Sequence, residues 1–198
     1  MTWRTKTLDY YNRYTEDFVS GTVTADMADT RSQFLACLPE HALILDFGCG
    51  SGRDTKAFLE AGYQVEATDG SEEICAMASK YTGIHVRKAL FNELEETDRY
   101  DGIWACASIL HLPAQDLKDV LSRIGKALKP GGVLYASFKY GEYEGMRDGR
   151  YFKAFTEETL KTFWETVTSM QLFDIWISGD VRSERKGQKW INLLARRI

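Results

Sequence analysis

Apolar and polar positions switch between two periods along most of this chain. Leu43-Ile44-Leu45 is a short apolar run that ends at a glycine-dense turn, which predicts a strand buried on both faces of a sheet. Directly after the turn the period becomes helical: Ala57, Phe58 and Ala61 share a face of a helix predicted over Arg53 to Ala61, with Gly62 as its stop. Gln64 to Thr68 alternates toward Asp69, and Ser71 stands as the N-cap of a helix from Glu72 to Tyr81, so a second strand–helix unit follows the first. Ile84 to Ala89 and Gly102 to Ala107 predict the third and fourth strands. Between Pro113 and Leu128, Leu117, Val120, Leu121, Ile124, Ala127 and Leu128 recur at helical spacing, closed by Pro130-Gly131-Gly132. Val133 to Phe138 is the fifth strand, and Thr156 caps a helix running to about Val167. Leu172 to Ile177 and Trp190 to Ala195 end the chain as two strands with no helix between them.

Strands alternating with helices imply a parallel sheet with right-handed crossovers, and the hairpin-like ending adds one antiparallel strand at or near an edge. The predicted fold is therefore α/β: a doubly wound, mostly parallel seven-stranded sheet. Leu8 to Val19 and Ala25 to Leu38 read as two extra helices available to cover the sheet's C-terminal rim. No repeat, low-complexity segment or linker interrupts the pattern, so one domain is expected over residues 1–198, with a helical cap over 1–38 and the sheet core over 39–198. Arg182, Arg185 and Lys186 read as the charged tip of the last hairpin.

Composition narrows the function classes. With 44% hydrophobic and 27% charged residues the chain is of ordinary globular make-up. Its 25 basic and 29 acidic residues leave a formal charge of −4, so no global positive field draws in nucleic acid or acidic lipid. The four cysteines, Cys37, Cys49, Cys75 and Cys106, lack metal-ligand spacing and the density of a secreted scaffold, which points to free thiols, no metal site and a cytoplasmic location. The residues Met1 to Leu8 have no apolar stretch behind them, and no run reaches the roughly 18 apolar residues that would span a bilayer, so no membrane association is expected.

The chemistry is concentrated at the first strand end. In a doubly wound sheet a ligand sits beyond the carboxyl ends of the strands, where strand order reverses. The glycines run Gly48-x-Gly50-x-Gly52, whereas a dinucleotide-binding turn needs its third glycine at position 53, which is Arg53; pyrophosphate is thus disfavoured. Glycines let a backbone turn approach a ligand and offer it peptide N–H groups, and Asp46 just before them can accept from an ammonium. Asp69, at the end of the second strand, places a carboxylate beside the turn, able to accept both hydroxyls of a ribose. A cationic nucleoside bearing an amino acid suits such a site.

Four stretches taken together, Leu43-Ile44-Leu45-Asp46-Phe47-Gly48-Cys49-Gly50-Ser51-Gly52-Arg53-Asp54, Ala67-Thr68-Asp69-Gly70-Ser71, Tyr100-Asp101-Gly102-Ile103-Trp104 and Leu128-Lys129-Pro130-Gly131-Gly132, resemble the class I S-adenosylmethionine-dependent methyltransferases. The ending Gly52-Arg53-Asp54 and the early Tyr10-Tyr11-Asn12-Arg13-Tyr14 are similar to a bacterial small-domain branch known as tellurite-resistance-like. The resemblance implies S-adenosylmethionine as cofactor and S-adenosylhomocysteine as product. It places Gly48, Gly50 and Gly52 close to the methionine moiety, Asp46 near its amino group and Asp69 at the ribose, with Cys49, Arg53, Gly70, Ser71, Ala107 and Tyr11 as further candidate cofactor contacts. Many members carry an acid after strand three that reads the adenine amino group; here that stretch is Lys88-Ala89-Leu90-Phe91, which implies adenine held by backbone and by the apolar faces of Leu90 and Phe91.

Methyl transfer from a sulfonium is an in-line displacement with an activated leaving group, so positioning supplies much of the rate and a base is optional. His111, just past strand four, is the candidate base. Tyr14, Lys139, Tyr140 and Arg147 join His111 as candidate acceptor contacts, the last three from a basic and aromatic cluster between Lys139 and Lys153 that reads equally as a solvated loop. A small-molecule acceptor is expected ahead of nucleic acid. Two alternatives stay open: an enzyme directed at tRNA or protein through that cluster, and a cofactor-binding regulator without catalysis.

Overall fold

The computed structural model describes residues 1–182, 185 and 187–198. The chain opens with three short helices, α1 (Trp3–Arg13), α2 (Thr15–Ser20) and α3 (Ala28–Leu35). Strands and helices then alternate: β1 (Leu43–Phe47), α4 (Arg53–Glu60), β2 (Gln64–Asp69), α5 (Glu72–Thr82), β3 (Val86–Lys88), β4 (Tyr100–Ala105), α6 (Ala114–Ala127) and β5 (Leu128–Tyr140). Next come the hairpin β6 (Glu144–Arg147) and β7 (Arg150–Phe155), then α7 (Glu157–Trp164), β8 (Met170–Gly179) and β9 (Lys189–Arg197).

The main sheet runs β3-β2-β1-β4-β5 in parallel; β9 lies antiparallel beside β5 and β8 antiparallel beside β9. Strand order reverses between β1 and β4, which opens a crevice at their carboxyl ends. Alternate residues of the central strands go to opposite layers. Ile44, Trp104, Tyr135 and Leu194 pack with Phe34 of α3 and Phe58 of α4, whereas Leu45, Ile103, Leu134 and Leu193 pack with Leu117, Val120 and Leu121 of α6 and Leu160 and Trp164 of α7. Burial on both faces is what the unbroken apolar run of β1 required.

The doubly wound, mostly parallel sheet with a helical N-terminus is as expected, with three differences. The helix expected over Leu8 to Val19 is two helices, because Thr15 Oγ1 donates back to the carbonyls of Tyr11 at 2.6 Å and Asn12 at 3.2 Å while Tyr14 leaves helical geometry. The cluster between Lys139 and Lys153, open to reading as a loop, is the β6–β7 hairpin, and β7 adds two parallel pairs to the far end of β5, Lys139 with Ala154 and Tyr140 with Phe155. Strand β5 begins at Leu128, ahead of the expected Val133, with a register shift opposite Tyr100 and Gly102. Of the expected tip of the last hairpin, Lys186 lies outside the described residues, and Arg182 pairs with Asp180 at 2.8 Å. Among the described residues no helix is long and apolar enough to cross a membrane.

Candidate active site

Strand β1 delivers the chain into the turn 48–52, where Gly48, Gly50 and Gly52 have φ of +83°, +54° and +76°. The turn is hung on β2: the N–H groups of Gly48 and Cys49 both donate to the Thr68 carbonyl at 2.9 Å. Glycine is needed at Gly48 for two reasons, its positive φ and its neighbours; a Cβ there would lie 2.5 Å from the Ser108 Cβ and 3.2 Å from the Phe91 ring. The segment after β4 presses against the turn from the other side, with Ser108 Oγ donating to the Phe47 carbonyl at 2.6 Å. It passes through Ala107 at φ +50°, an unfavourable conformation for a residue with a Cβ, held by a bond from its N–H to Ser137 Oγ at 2.8 Å.

At the end of β2 the two Asp69 oxygens accept from the N–H groups of Gly50 at 3.1 Å and Ser71 at 3.0 Å. Burial raises its carboxyl above the ordinary carboxylate value, against the lowering pull of the Ser71, Gly50 and Gly70 N–H groups. A carboxylate offers about four lone-pair positions, so each oxygen keeps capacity for a further donor. Asp69 faces a cavity of about 290 Å3 together with Gly48, Gly50, Gly70, Leu90, Phe91, Tyr11 and His111, all residues that the sequence singles out. Glycine surfaces, the buried Asp69 carboxylate and apolar side chains line it together: a shape suited to a nucleoside, with its hydroxyls toward Asp69.

The other expected cofactor contacts lie outside this wall. The Asp46 carboxylate turns from the cavity to accept from Thr55 Oγ1 at 2.6 Å; burial, then the neighbouring Asp54, pushes its pKa up to about 7. Arg53 is drawn to Asp54 at 2.6 Å, in a buried cluster where Asp54 also accepts from Arg31 at 2.8 Å and Trp104 Nε1 at 3.0 Å. Cys49 packs with Cys75, Ala78 and Val86, and burial pushes its thiol well up, so it is an inert core thiol. Gly52 faces Thr82 and Ala78, and Ser71 is buried with its Oγ taken up as the α5 cap, accepting from the Ile74 N–H at 3.2 Å. Ala107 acts through its backbone, by shaping the loop that carries Ser108 and His111.

His111 is buried between α1 and the hairpin. The Tyr151 carbonyl, 2.5 Å from Nδ1, can only accept, so Nδ1 carries the proton and Nε2 accepts from the Tyr11 hydroxyl at 2.8 Å. Burial lowers the imidazole pKa to about 4, with the Tyr151 carbonyl opposing and Arg150 assisting. A neutral ring with both nitrogens bonded aims Tyr11 and is a weak proton acceptor in its own right. Tyr14, Lys139, Tyr140 and Arg147 line a separate, larger cleft.

Sequence reasoning missed several cavity residues. Asn92 follows Leu90 and Phe91 and supplies an amide where the acid after strand three was absent. Asp116, Asp119 and Arg123 reach in from α6, where they lie on one face at helical spacing next to the apolar stripe, a signal the sequence did carry. Trp3, Arg4 and Phe18 come from α1 and α2.

A doubly wound sheet with its glycine turn, adjacent acid and cavity at the point of strand reversal defines an α/β protein with a ligand crevice at that point. Residues 44–132 match the family model of the methyltransferase domain. In fold the chain is similar to the 1,6-didemethyltoxoflavin-N1-methyltransferase of Burkholderia thailandensis, solved with 1,6-didemethyltoxoflavin and S-adenosylhomocysteine, at TM-score 0.71 and 27% identity over 96% of this chain and 89% of that one. In sequence it is 36% identical over 97 residues to the alpha N-terminal protein methyltransferase 1 of Caenorhabditis elegans, covering 46% of this chain and 42% of the relative. It is 27% identical over 105 residues to the ubiquinone biosynthesis O-methyltransferase of Hydrogenovibrio crunogenus, covering 50% and 43%. The chain spans less than half the length of either of these two relatives. Residues 44–132 thus match a methyltransferase domain, and the fold that holds them is similar over nearly the whole chain to that of a methyltransferase solved with S-adenosylhomocysteine.

Proposed function

We propose that this chain moves a methyl group from S-adenosylmethionine to a small-molecule acceptor. The observation that carries the reading is the cavity framed by Gly48, Gly50 and Gly70 and lined by Asp69, whose carboxylate retains acceptor capacity for the two ribose hydroxyls. Leu90 and Phe91 offer apolar faces to the adenine, and the Asn92 amide can both donate to and accept from its edge. Because Phe18 lies against Gly50 and Tyr11 packs on Phe18, the methionine arm reaches its place along the turn when α1 and α2 shift outward.

Held there, S-adenosylmethionine would supply an electrophilic sulfonium methyl for the acceptor's lone pair, with the C–S bonding pair left on the sulfur of S-adenosylhomocysteine. What the chain contributes is alignment and exclusion of water, with the Tyr11 hydroxyl, held by His111, at the cavity wall. The four unpaired thiols suit a reducing, cytoplasmic setting.

Calorimetry tests the reading. The protein should bind S-adenosylmethionine and S-adenosylhomocysteine, and Asp69→Asn, which keeps one acceptor oxygen for the backbone, should weaken both by about 10- to 100-fold, as for a lost charge-assisted bond. A folded protein that binds neither sinks the proposal, and an unchanged affinity in Asp69→Asn removes the ribose role.

A further inference from the structure

The cleft that holds Tyr14, Lys139, Tyr140 and Arg147 measures about 930 Å3 and shares Phe18 with the nucleoside-shaped cavity. The partition between the two is aromatic. Tyr10 faces the cleft and Tyr11 the cavity, with ring centroids 5.5 Å apart, and Phe18 stands 5.0 Å from Tyr11.

The charge of this cleft is opposite to that of the whole chain. Its described walls hold six cations, Lys139, Arg147, Arg150, Arg182, Arg185 and Lys189, against two acids, Asp17 and Asp148. At the cleft rim Arg182 pairs with Asp180 at 2.8 Å, and the Lys139 ammonium donates to Gln188 Oε1 at 2.6 Å. Arg150 is the most telling. Its guanidinium lies 4.1 Å from the Tyr10 ring centroid and 5.1 Å from that of Phe152, beside the Tyr11 hydroxyl, and its Nε is buried with no hydrogen-bond partner among the described residues. A buried charged donor left unpaired costs free energy that an incoming acceptor restores. Burial, then the nearby Arg185, holds the Lys139 ammonium below its ordinary pKa, with Asp180 opposing, as expected where cations outnumber acids.

Flat surfaces complete the site. Tyr10, Tyr14, Tyr140, Tyr143 and Trp190 line the same cleft, with the Lys139 ammonium 5.0 Å above the Trp190 ring. Arginine forks match a carboxylate in geometry as well as charge, and aromatic faces match a planar ring. We propose that this cleft binds a planar organic anion, an aromatic or heteroaromatic ring bearing a carboxylate, and that this is the chemical class of the methyl acceptor. The assignment as acceptor rests on the methyl-transfer reading; the anion site does not. A volume of about 930 Å3 is that of a small-molecule pocket, and a net charge of −4 opposes the long phosphate tracks of nucleic acid.

The test is calorimetry on the full chain saturated with S-adenosylhomocysteine, using 2-naphthoate, its neutral isostere 2-naphthamide and a short single-stranded RNA as probes. Naphthoate should bind at least tenfold more tightly than naphthamide, and the ratio should shrink as salt is raised. In the double variant Lys139→Gln/Arg147→Gln the ratio should fall to within about twofold with S-adenosylhomocysteine affinity unchanged, while Lys139→Arg keeps it. Equal binding of acid and amide, no binding of either, or a ratio that survives both high salt and the double variant overturns the proposal. RNA that binds more tightly than naphthoate and displaces it also overturns it, assigning the cleft to a macromolecule. Should the parent protein select naphthoate but fail to bind S-adenosylhomocysteine, the methyl-transfer reading falls and the anion site stands.

Discussion

Asp46 and His111 are both buried, and they respond to pH in opposite directions. The folded Asp46 pKa of about 7 stands above the ordinary 3.8. The unfolded chain therefore releases this proton first, and stability declines as pH rises from about 4 to 7, by on the order of 4 kcal/mol in total. For His111 the folded value of about 4 is below the ordinary 6.5, so its contribution is present above pH 6.5 and is lost as pH falls toward 4. In the parent protein the two trends overlap and partly cancel. Asp46→Asn, which keeps an oxygen for Thr55, should gain in melting temperature over the parent progressively from pH 5 to 8, whereas His111→Asn should lose its disadvantage as pH falls from 6.5 to 4.5. Melting curves across that range check both, and parallel profiles for parent and variant would contradict the burial argument. Asp69 was legible from its place at a strand end, because strand period and a following helix cap fix which side it leaves the sheet. The direction taken by Asp46 was not, since Thr55 lies on the next helix and draws the carboxylate away from the crevice.

The element with the largest effect on the site is the β6–β7 hairpin. Its register, Glu144 with Lys153 through Arg147 with Arg150, leaves Asp148 and Gly149 as a two-residue turn, with φ of +48° and +78°. Asp-Gly is the pairing favoured for such a turn, because both positions need positive φ to match the twist of the strands. That dipeptide was readable in the chain; the polar and charged residues around it masked the strands. The hairpin ties distant parts together: the Tyr151 N–H donates to Thr7 Oγ1 of α1 at 3.0 Å and its carbonyl accepts from His111. Gly149→Ala should cost about 1–2 kcal/mol in urea unfolding from its φ alone, and the added Cβ would also sit 3.3 Å from Tyr10. Asp148→Gly should stay within about 0.5 kcal/mol of the parent or exceed it. Equal losses in the two variants would argue against the turn geometry.

At the scale of the molecule, a well-packed sheet carries a loosely anchored cover. Helices α1 and α2 each bury a single residue, Thr7 and Thr15, neither of them strongly apolar, while β4, β5 and β9 are lined with fully buried apolar side chains. Local opening is cheapest where little apolar surface is buried, so amides of residues 3–20 should exchange with deuterium well before those of β1, β4 and β5. A ligand in the cavity touches Tyr11 and Phe18 from below, so saturating S-adenosylhomocysteine should slow exchange over the same residues more than elsewhere. Mass spectrometry of exchanged peptides reads this directly; protection spread evenly over the chain would contradict a movable cover.

Much of the architecture was legible along the chain because its causes are local. The apolar run of β1, the helical stripe of α6, the glycine turn that needs positive φ and the acid at the end of β2 each follow from the spacing of neighbouring residues. The site's outer half had no such local cause. Tyr11 meets His111 across 100 positions, Tyr151 meets Thr7 across 144, and the cationic cleft gathers side chains from α2, the hairpin and the start of β9. Which of these distant groups face one another depends on how helices and hairpin pack over the rim of the sheet. Packing also turned Asp46, Cys49, Arg53 and Ser71 inward, where buried partners satisfied them better than the crevice could.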